Sequence, residues 1–243
     1  MIDILVINLN NIALTKDVID DLYRQDYKDF KITVVDNGSD EEGTDNFLDS
    51  IDGATVIRND NNEPINHIWN TFAEQSDGEY LCLLNNDVRL SPNYLSSSVE
   101  VFKKDKSIAV VNHTTNLTAY SQWSEKLSYV KIYKCYRQGW DIFIKKERYH
   151  HIPDEMLFYF GDDYLYSMIY DDGFYGAYVL NSPLIHYCSK TVPGKGGKTY
   201  QQDGLYDTKA YYLLPLKHRT NQEFITDYST YLPQFNTLSF KNN

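Results

Sequence analysis

Polar side chains that can bind metal ions or move protons are concentrated in four short clusters. One cluster is Asn85-Asn86-Asp87, which directly follows an apolar run at residues 79–84. The carboxylate of Asp87 can bind a hard divalent cation, which prefers oxygen ligands and bridges phosphates readily. Asn-Asn-Asp is also common turn composition, so this cluster alone leaves a metal site and a turn both open.

A second cluster, DNGSD at residues 36–40, also follows an apolar run. The carboxylate of Asp36 at the end of that run can accept a hydrogen bond from the imide N–H of a pyrimidine base. Taken alone, this composition is again that of a turn. Two such clusters at the ends of two strands favour a ligand site more strongly than either cluster does alone.

The third and fourth clusters supply a candidate base and a candidate metal ligand. Asp162 and Asp163 lie among aromatic residues, and burial of that kind raises the pKa of a carboxyl group towards the range that a general base needs. The same two residues are also typical of a helix N-terminus. His186 follows an apolar run, and a histidine in that setting is more often structural than a metal ligand.

Alternating strand and helix patterns predict where these clusters lie. The predicted strands cover residues 3–9, 30–35, 55–58, 79–84 and 108–112. The predicted helices run from an N-cap at Thr15 to residue 25, from Pro64 to the turn at Asp77-Gly78, and from Pro92 to residue 104. This alternation predicts an α/β fold with a Rossmann-like, mainly parallel central sheet flanked by helices. Ligands of such sheets bind at the carboxyl ends of the strands, where the polar clusters fall.

Beyond residue 112 the alternation is less regular. We predict loops with short strands over residues 113–150, including one strand at 139–146. A short helix is predicted at 164–170, and Gly173 ends it.

Composition limits the classes of partner. The chain has 243 residues, a formal net charge of −11 and a pI near 4.9, which disfavours even electrostatic binding to nucleic acids or anionic membranes. Residues 190–219 are a local exception, because six basic and two acidic side chains give them +4. Three cysteines without a CxxC pair indicate neither a disulfide framework nor a cysteine zinc site, and they favour a cytoplasmic setting. No run approaches the roughly 20 apolar residues of a membrane helix, so no transmembrane segment is expected.

The order and spacing of the clusters resemble those of the family 2 glycosyltransferases, a large group with the GT-A fold that transfers sugars from nucleotide donors. The matching motifs are ILVINLN at 4–10, VVDNGSD at 34–40, RNDNN at 58–62 with Asn70, LNNDV at 84–88, FGDD at 160–163 and HYCSKT at 186–191. The resemblance covers about four fifths of the chain. It implies a GT-A domain over residues 1–191, with residues 192–243 packing on the active site or closing over it.

The resemblance also implies a role for each cluster. Asp87 and His186 would bind Mn²⁺ or Mg²⁺, and Asp162 or Asp163 would be the general base that deprotonates an acceptor hydroxyl. In-line attack on the donor would invert the anomeric centre. The nucleotide-sugar donor, with a UDP-sugar favoured, would contact Asn8, Asn10, Asp36, Asn59, Asp60, Asn70, Asn85, Asn86, Lys195 and Lys198.

Three features depart from the family pattern, and one of them is Pro64, which stands where a glycine is usual. The metal-binding DxD motif is reduced to NND at 85–87, which leaves its last residue as the main metal carboxylate. Gly161 stands where the first acid of the family's acidic pair falls if Asp162 is the base. If Asp162 and Asp163 are themselves the pair, the base is Asp163; the spacing to Gly173 favours Asp162.

Other functions stay open on the sequence. One is a non-catalytic module that binds a glycan or a protein partner. Another is a sugar nucleotidyltransferase, although NLNN at 8–11 replaces the glycine-rich signature with arginine that such enzymes usually carry. The acceptor is predicted to be a glycan or another hydroxyl-bearing molecule, and a nucleic acid stays among the candidates.

Overall fold

The computed structural model of this chain describes residues 1–115, 123–132, 138–187 and 214. Within them, nine strands form one sheet with the order β3-β2-β1-β4-β8-β6-β9-β5, and β7 pairs with β9. The strands are β1 Ile2–Asn8, β2 Phe30–Asn37, β3 Ala54–Asn59, β4 Tyr80–Asn85, β5 Val88–Arg89, β6 Ile108–Thr115, β7 Tyr129–Ile132, β8 Asp141–Lys145 and β9 Tyr175–His186. The helices are α1 Ile12–Tyr23, α2 Thr44–Asp49, α3 Ile65–Gln75, α4 Tyr94–Lys104 and α5 Gly161–Asp171, with a 3₁₀ turn at Lys146–Arg148.

The first four strands form the parallel half of the sheet. β1 lies between β2 and β4, and β3 extends the sheet beyond β2, all in parallel. The register sets Asn8 opposite Asp36, and Asn37 opposite Asn59. Because the carboxyl ends of parallel strands meet at one edge, the polar clusters that follow these strands lie together, as the sequence predicts.

The other half of the sheet is mixed. β8 is antiparallel to both β4 and β6, whereas β6 and β9 are parallel. The short strands β5 and β7 both pair with β9 in the antiparallel sense. The predicted α/β class with flanking helices is therefore confirmed, and the parallel arrangement holds for the strands up to β4.

Apolar residues cover both faces of the sheet, so the strands read as continuous hydrophobic runs. In β1, alternate side chains point to opposite faces. On one face, Ile4 and Val6 pack in a cluster that includes α1 and α4 residues. On the other face, Leu5 and Ile7 belong to the cluster formed with α3 and α5. These two layers hold the carboxyl edge of the sheet in a fixed geometry.

Two helix starts differ from the sequence predictions. α1 begins at Ile12 after Asn11, not after an N-cap at Thr15. The prediction was wrong because the Thr15 side chain is buried and donates its hydroxyl proton to Asn8. α5 begins at Gly161, three residues before the predicted start, and Phe160 precedes it with a positive φ of 62°.

The C-terminal segment predicted over 192–243 lies outside the described residues, apart from Leu214. That residue packs against the apolar cluster under α3 and α5. The division of the chain at residue 191 stays a prediction. Among the described residues, no helix has the length and apolar character needed to cross a membrane.

Candidate active site

Asn8, at the end of β1, joins two of the predicted clusters, those of Asp36 and Asp87. Its Nδ2 donates to Asp36 Oδ1 at 2.6 Å and to Ser39 Oγ at 3.0 Å. Its Oδ1 accepts from Thr15 and, at 3.4 Å, from Asn86 Nδ2. Asn8 is fully buried, and these bonds use both ends of its amide. The side chain therefore fixes the Asp36 carboxylate and the segment after β4 relative to each other.

Asn86 and Asn10 are also occupied by bonds within the protein. Asn86 Nδ2 donates to Thr15 Oγ1 at 3.0 Å and to the Asn10 carbonyl at 3.1 Å. Asn10 Oδ1 accepts the backbone N–H groups of Asp40 and Glu41. These two predicted donor-binding residues thus hold the loops that surround Asp36, which is buried and accepts both of its described side-chain bonds on Oδ1.

A second asparagine cluster lies at the ends of β2 and β3. Asn59 Nδ2 donates to Asn37 Oδ1 at 2.9 Å, and Asn37 Nδ2 donates to Asn62 Oδ1 at 2.8 Å. Asp60 is exposed beside this cluster. Asn37 is the residue that organises it, and the sequence offered only its place beside Asp36 as a signal.

Asp87 and His186 come together through the pairing of β5 with β9. The register sets Val88 opposite His186, and the Tyr187 N–H donates to the Asp87 carbonyl at 2.9 Å. His186 Nε2 consequently lies 3.4 Å from Asp87 Oδ1. The carboxyl group is 2% exposed and the imidazole 11%, so both lie in a pocket largely shielded from water.

This pair fits part of the coordination sphere of a divalent cation. Neighbouring ligands in an octahedral Mg²⁺ site are roughly 3 Å apart, close to the distance between the Asp87 and His186 atoms. Among the described residues, no group of three or more His, Cys, Asp and Glu side chains is arranged to hold a metal ion. An ion here would therefore need ligands from the substrate as well, such as diphosphate oxygens.

Trp140 connects this pair to the rest of the sheet. Its ring stacks on the His186 imidazole, with centroids 4.4 Å apart and an angle of 12° between the planes. Its carbonyl accepts the Asn85 N–H at 3.1 Å. Asn85, predicted to bind the donor, is thus tied through its backbone to the residue that covers His186. The stacking of Trp140 on His186 joins distant segments of the chain, so it is difficult to predict from the sequence.

The two candidate bases occupy different environments at the start of α5. Asp163 is 3% exposed, whereas Asp162 is half-buried. Asp162 Oδ2 lies 3.3 Å from the point that a Cβ atom on Gly139 would occupy, so its carboxylate packs directly against this glycine. Because Gly139 precedes Trp140, Asp162 is brought to the same segment that covers His186.

Close packing explains the glycine that departs from the family pattern. A Cβ atom on Gly161 would lie 2.1 Å from Asn66 Oδ1. Asn66 holds that position because its Nδ2 donates to the carbonyls of Met156 and Tyr159. An acidic side chain at 161 is therefore incompatible with this arrangement of α3 and α5.

Asn70 lies on the same helix as Asn66, and its amide is bonded to the segment after β8. It donates to the Ile152 carbonyl at 2.8 Å, and its Oδ1 accepts from Tyr149 Oη and the Ile152 N–H, both at 2.9 Å. The structure does not bring its side chain into the Asp36 cluster. Lys195 and Lys198, the predicted lysines of the glycine-rich segment, lie outside the described residues.

Asp141 and His113 form a buried polar pair next to Trp140. Asp141 Oδ2 accepts the His113 N–H at 2.9 Å, and Asp141 Oδ1 accepts from Gln138 at 2.7 Å. Burial raises the pKa of Asp141 well above its usual value, because water no longer stabilises the charged form. Burial lowers the pKa of His113 to about 3 for the same reason. The hydrogen bonds from His113 and Gln138 hold Asp141, the first residue of β8, in place.

The family model described as glycosyl transferase family 2 matches residues 3–171, which include the Asp36, Asp87 and Asp162 clusters. This chain belongs to that family. The family expected from the resemblance is thereby confirmed. No curated protein matches the sequence significantly.

Solved structures show the same fold at low sequence identity. S. aureus TarS 1–349 matches with a TM-score of 0.64 and 11% identity over 99% of this chain and 75% of TarS 1–349. Its complex with UDP gives 0.65 and 12% over 100% and 75%. The mannosyltransferase PcManGT from Pyrobaculum calidifontis, in complex with GDP-Man and Mn²⁺, gives 0.59 and 17% over 88% and 65%. All three likenesses support the GT-A fold.

Proposed function

We propose that this protein transfers a hexosyl group from a nucleotide-diphosphate sugar, with a UDP-sugar favoured, to an acceptor hydroxyl with inversion. The observation that carries the proposal is the grouping of Asp87, His186 and Asp162 around one short segment, Gly139-Trp140. Each of these side chains has the chemistry that one part of the reaction requires. The UDP bound to TarS and the GDP-Man and Mn²⁺ bound to PcManGT support this class of donor.

In this proposal, the nucleoside binds near Asp36. Asn8 and Ser39 donate hydrogen bonds to Asp36 Oδ1, so the carboxylate is oriented before the donor binds. The asparagine cluster around Asn37 and Asn59 closes the neighbouring edge, and Asp60 lies exposed beside it. A carboxylate fixed in this way can accept the imide N–H of uracil, which is why a UDP-sugar is favoured.

Asp87 and His186 would hold a Mn²⁺ or Mg²⁺ ion at the diphosphate. Such an ion, when bound, neutralises charge that develops on the departing nucleoside diphosphate. The two side chains lie 3.4 Å apart and shielded from water, which strengthens their interaction with charge. Asp87 would contribute a carboxylate oxygen to the ion, and His186 would contribute a ring nitrogen.

Asp162 would remove the proton from the acceptor hydroxyl. Its half-buried carboxylate is the more accessible of the two candidates, since Asp163 is 3% exposed. A base accepts the proton as the hydroxyl oxygen attacks the anomeric carbon from the side opposite the diphosphate. The acceptor would be a glycan or another hydroxyl-bearing molecule, and the reaction would take place in the cytoplasm.

The proposal is tested by incubating the protein with each of a panel of nucleotide sugars and Mn²⁺ and measuring the release of nucleoside diphosphate. Asp162→Asn should lower kcat by about 10³-fold and leave donor affinity unchanged, because a general base contributes on that order. Asp163→Asn should have the smaller effect on kcat. Asp87→Asn should remove Mn²⁺-dependent UDP binding in calorimetry.

The matched control is Asp52→Asn, an exposed carboxylate in the turn before β3. It should leave all three measurements unchanged. Turnover that persists in Asp87→Asn and Asp162→Asn would disprove the assigned roles. If neither nucleotides nor Mn²⁺ raise the melting temperature of the wild type, the chain is instead a non-catalytic binding module.

A further inference from the structure

Trp140 and its neighbour Gly139 contact three parts of the site. Its carbonyl accepts the N–H of Asn85, two residues before Asp87. Its ring covers His186, and the preceding residue, Gly139, packs on the Asp162 carboxylate. The residue after it, Asp141, is fully buried and accepts hydrogen bonds from His113 and Gln138. The position of Trp140 is thus determined by the sheet and not by the ligand.

The stack restricts the imidazole of His186. Two rings 4.4 Å apart and 12° from parallel leave little room for the imidazole to turn about its Cβ–Cγ bond. The orientation of that ring decides whether Nε2 points at Asp87 Oδ1, from which it is 3.4 Å away. Residues that orient a metal ligand in this way affect metal affinity although they do not touch the ion.

The indole contributes through its flat ring and not through its N–H. Trp140 Nε1 is buried and has no hydrogen-bond acceptor among the residues that the structure describes. Because a buried donor without an acceptor destabilises the folded state, the indole N–H does not account for a tryptophan at this position. The ring makes two other contacts. It packs against the apolar core on the α1 and α4 side of the sheet, which an apolar side chain such as leucine can also do, and it stacks on His186, which requires a flat ring.

We propose that Trp140 is a positioning residue that orients His186 for the divalent cation and diphosphate of the donor. This inference rests on the proposed function for its ligand, and it adds a residue to which the sequence assigns no metal role. It assigns the effect of Trp140 to ring stacking, so another flat ring at this position should preserve it. A flexible apolar side chain should not.

The test compares Trp140→Phe with Trp140→Leu. In the apo protein, the ring current of the indole shifts the His186 imidazole C–H signals in NMR spectra, and His186→Gln assigns those signals. We expect Trp140→Leu to return them to ordinary positions and to weaken UDP binding in the presence of Mn²⁺ by about tenfold or more, as loss of a supporting residue does. UDP binding without metal should be unchanged. Trp140→Phe should bind UDP with Mn²⁺ nearly as tightly as the wild type.

The control is Trp69→Leu, which changes a different buried tryptophan in the core under α3. It should lower the melting temperature while leaving Mn²⁺-dependent UDP affinity intact. If Trp140→Leu does not fold, Trp140→Met tests the same loss of a flat ring. Wild-type affinity in Trp140→Leu or Trp140→Met, or equal weakening in Trp140→Phe, would overturn the inference. A wild type that binds no nucleotide would instead disprove the proposed function.

Discussion

Single buried amides, and not the carboxylates, determine the shape of the donor side of the site. Asn8 uses both ends of its amide on Asp36, Ser39, Thr15 and Asn86, and it is fully buried. An amide can donate and accept simultaneously, which a carboxylate cannot. Asparagine therefore suits a junction between strand ends, and the charged group is left to face a ligand.

Gly139 is the residue at which a small change should affect chemistry without affecting stability. A Cβ atom there would lie 3.3 Å from Asp162 Oδ2, so Gly139→Ala should displace the carboxylate by a few tenths of an ångström. Since misplacement by about 1 Å can cost 10²-fold in rate, we expect kcat to fall by roughly tenfold. Steady-state kinetics, UDP calorimetry and thermal melts measure the effect. An unchanged kcat, or a fall in UDP affinity instead, would contradict this role for the Asp162 contact.

At the scale of elements, the loop that carries Asp87 is anchored to α1 by an ion pair. Arg89 donates to both carboxylate oxygens of Asp21 at 2.7 and 3.0 Å, and the Leu90 N–H donates to the same group at 2.9 Å. Asp21 is 3% exposed. Because α1 also supplies Thr15 to the Asn8 junction, this pair fixes the metal side of the site relative to the donor side.

Removing one partner of this pair should be costly. Arg89→Met removes the bidentate partner of the buried Asp21, which keeps Arg24 at 3.2 Å, and we expect a loss of roughly 2 kcal/mol in the free energy of unfolding, measured by urea denaturation. The matched control is Lys16→Met, which breaks the exposed pair of Lys16 with Asp20 on the same helix. That change should cost no more than about 0.5 kcal/mol. Equal effects in the two variants would show that Asp21 does not depend on Arg89.

The elements that the sequence predicted well are those whose pattern is local. β1 to β4 and the helices α1 and α3 have continuous apolar runs or amphipathic periods, so their order and the convergence of the polar clusters followed. The short helix α2 between β2 and β3 was not predicted. β9 was not predicted, because Asn181 and Ser182 interrupt its apolar pattern and its pairing with β6 is long-range. Trp140 contacts His186 from a distant part of the chain, so the link between the two ends of the site required the structure.

At the scale of the whole molecule, a net charge of −11 would repel an anionic donor. The fold places carboxylates of three clusters at one edge of the sheet, where Asp87 lies beside His186 and Asp36 is held by the neutral Asn8 amide and Ser39 hydroxyl. A divalent cation offsets the charge at this edge. The overall sign of the chain therefore does not argue against a diphosphate-bearing donor.

Two buried groups should make stability depend on pH in opposite ways. His113 is protonated in the unfolded chain below about 6.5, whereas burial lowers its folded pKa to about 3. The contribution of His113 to the free energy of unfolding is therefore lost as the pH falls below about 6.5. Burial raises the pKa of Asp141, so the folded chain holds a proton that the unfolded chain has released. Its contribution is lost as the pH rises above the unfolded value.

Between pH 5 and pH 7 the effects of these two groups on the free energy of unfolding oppose each other. A variant that lacks one group should therefore show the pH dependence that the other group causes. Asp141→Asn should lose stability as the pH falls, by at most about 1.4 kcal/mol per pH unit, because only the unfolded chain then takes up the His113 proton. His113→Gln should instead gain stability as the pH falls. Urea denaturation at pH 5, 6 and 7 measures both slopes, with His67→Gln as a control on the surface of α3. Slopes of the same sign in the two variants would contradict the pKa shifts that burial causes at His113 and Asp141.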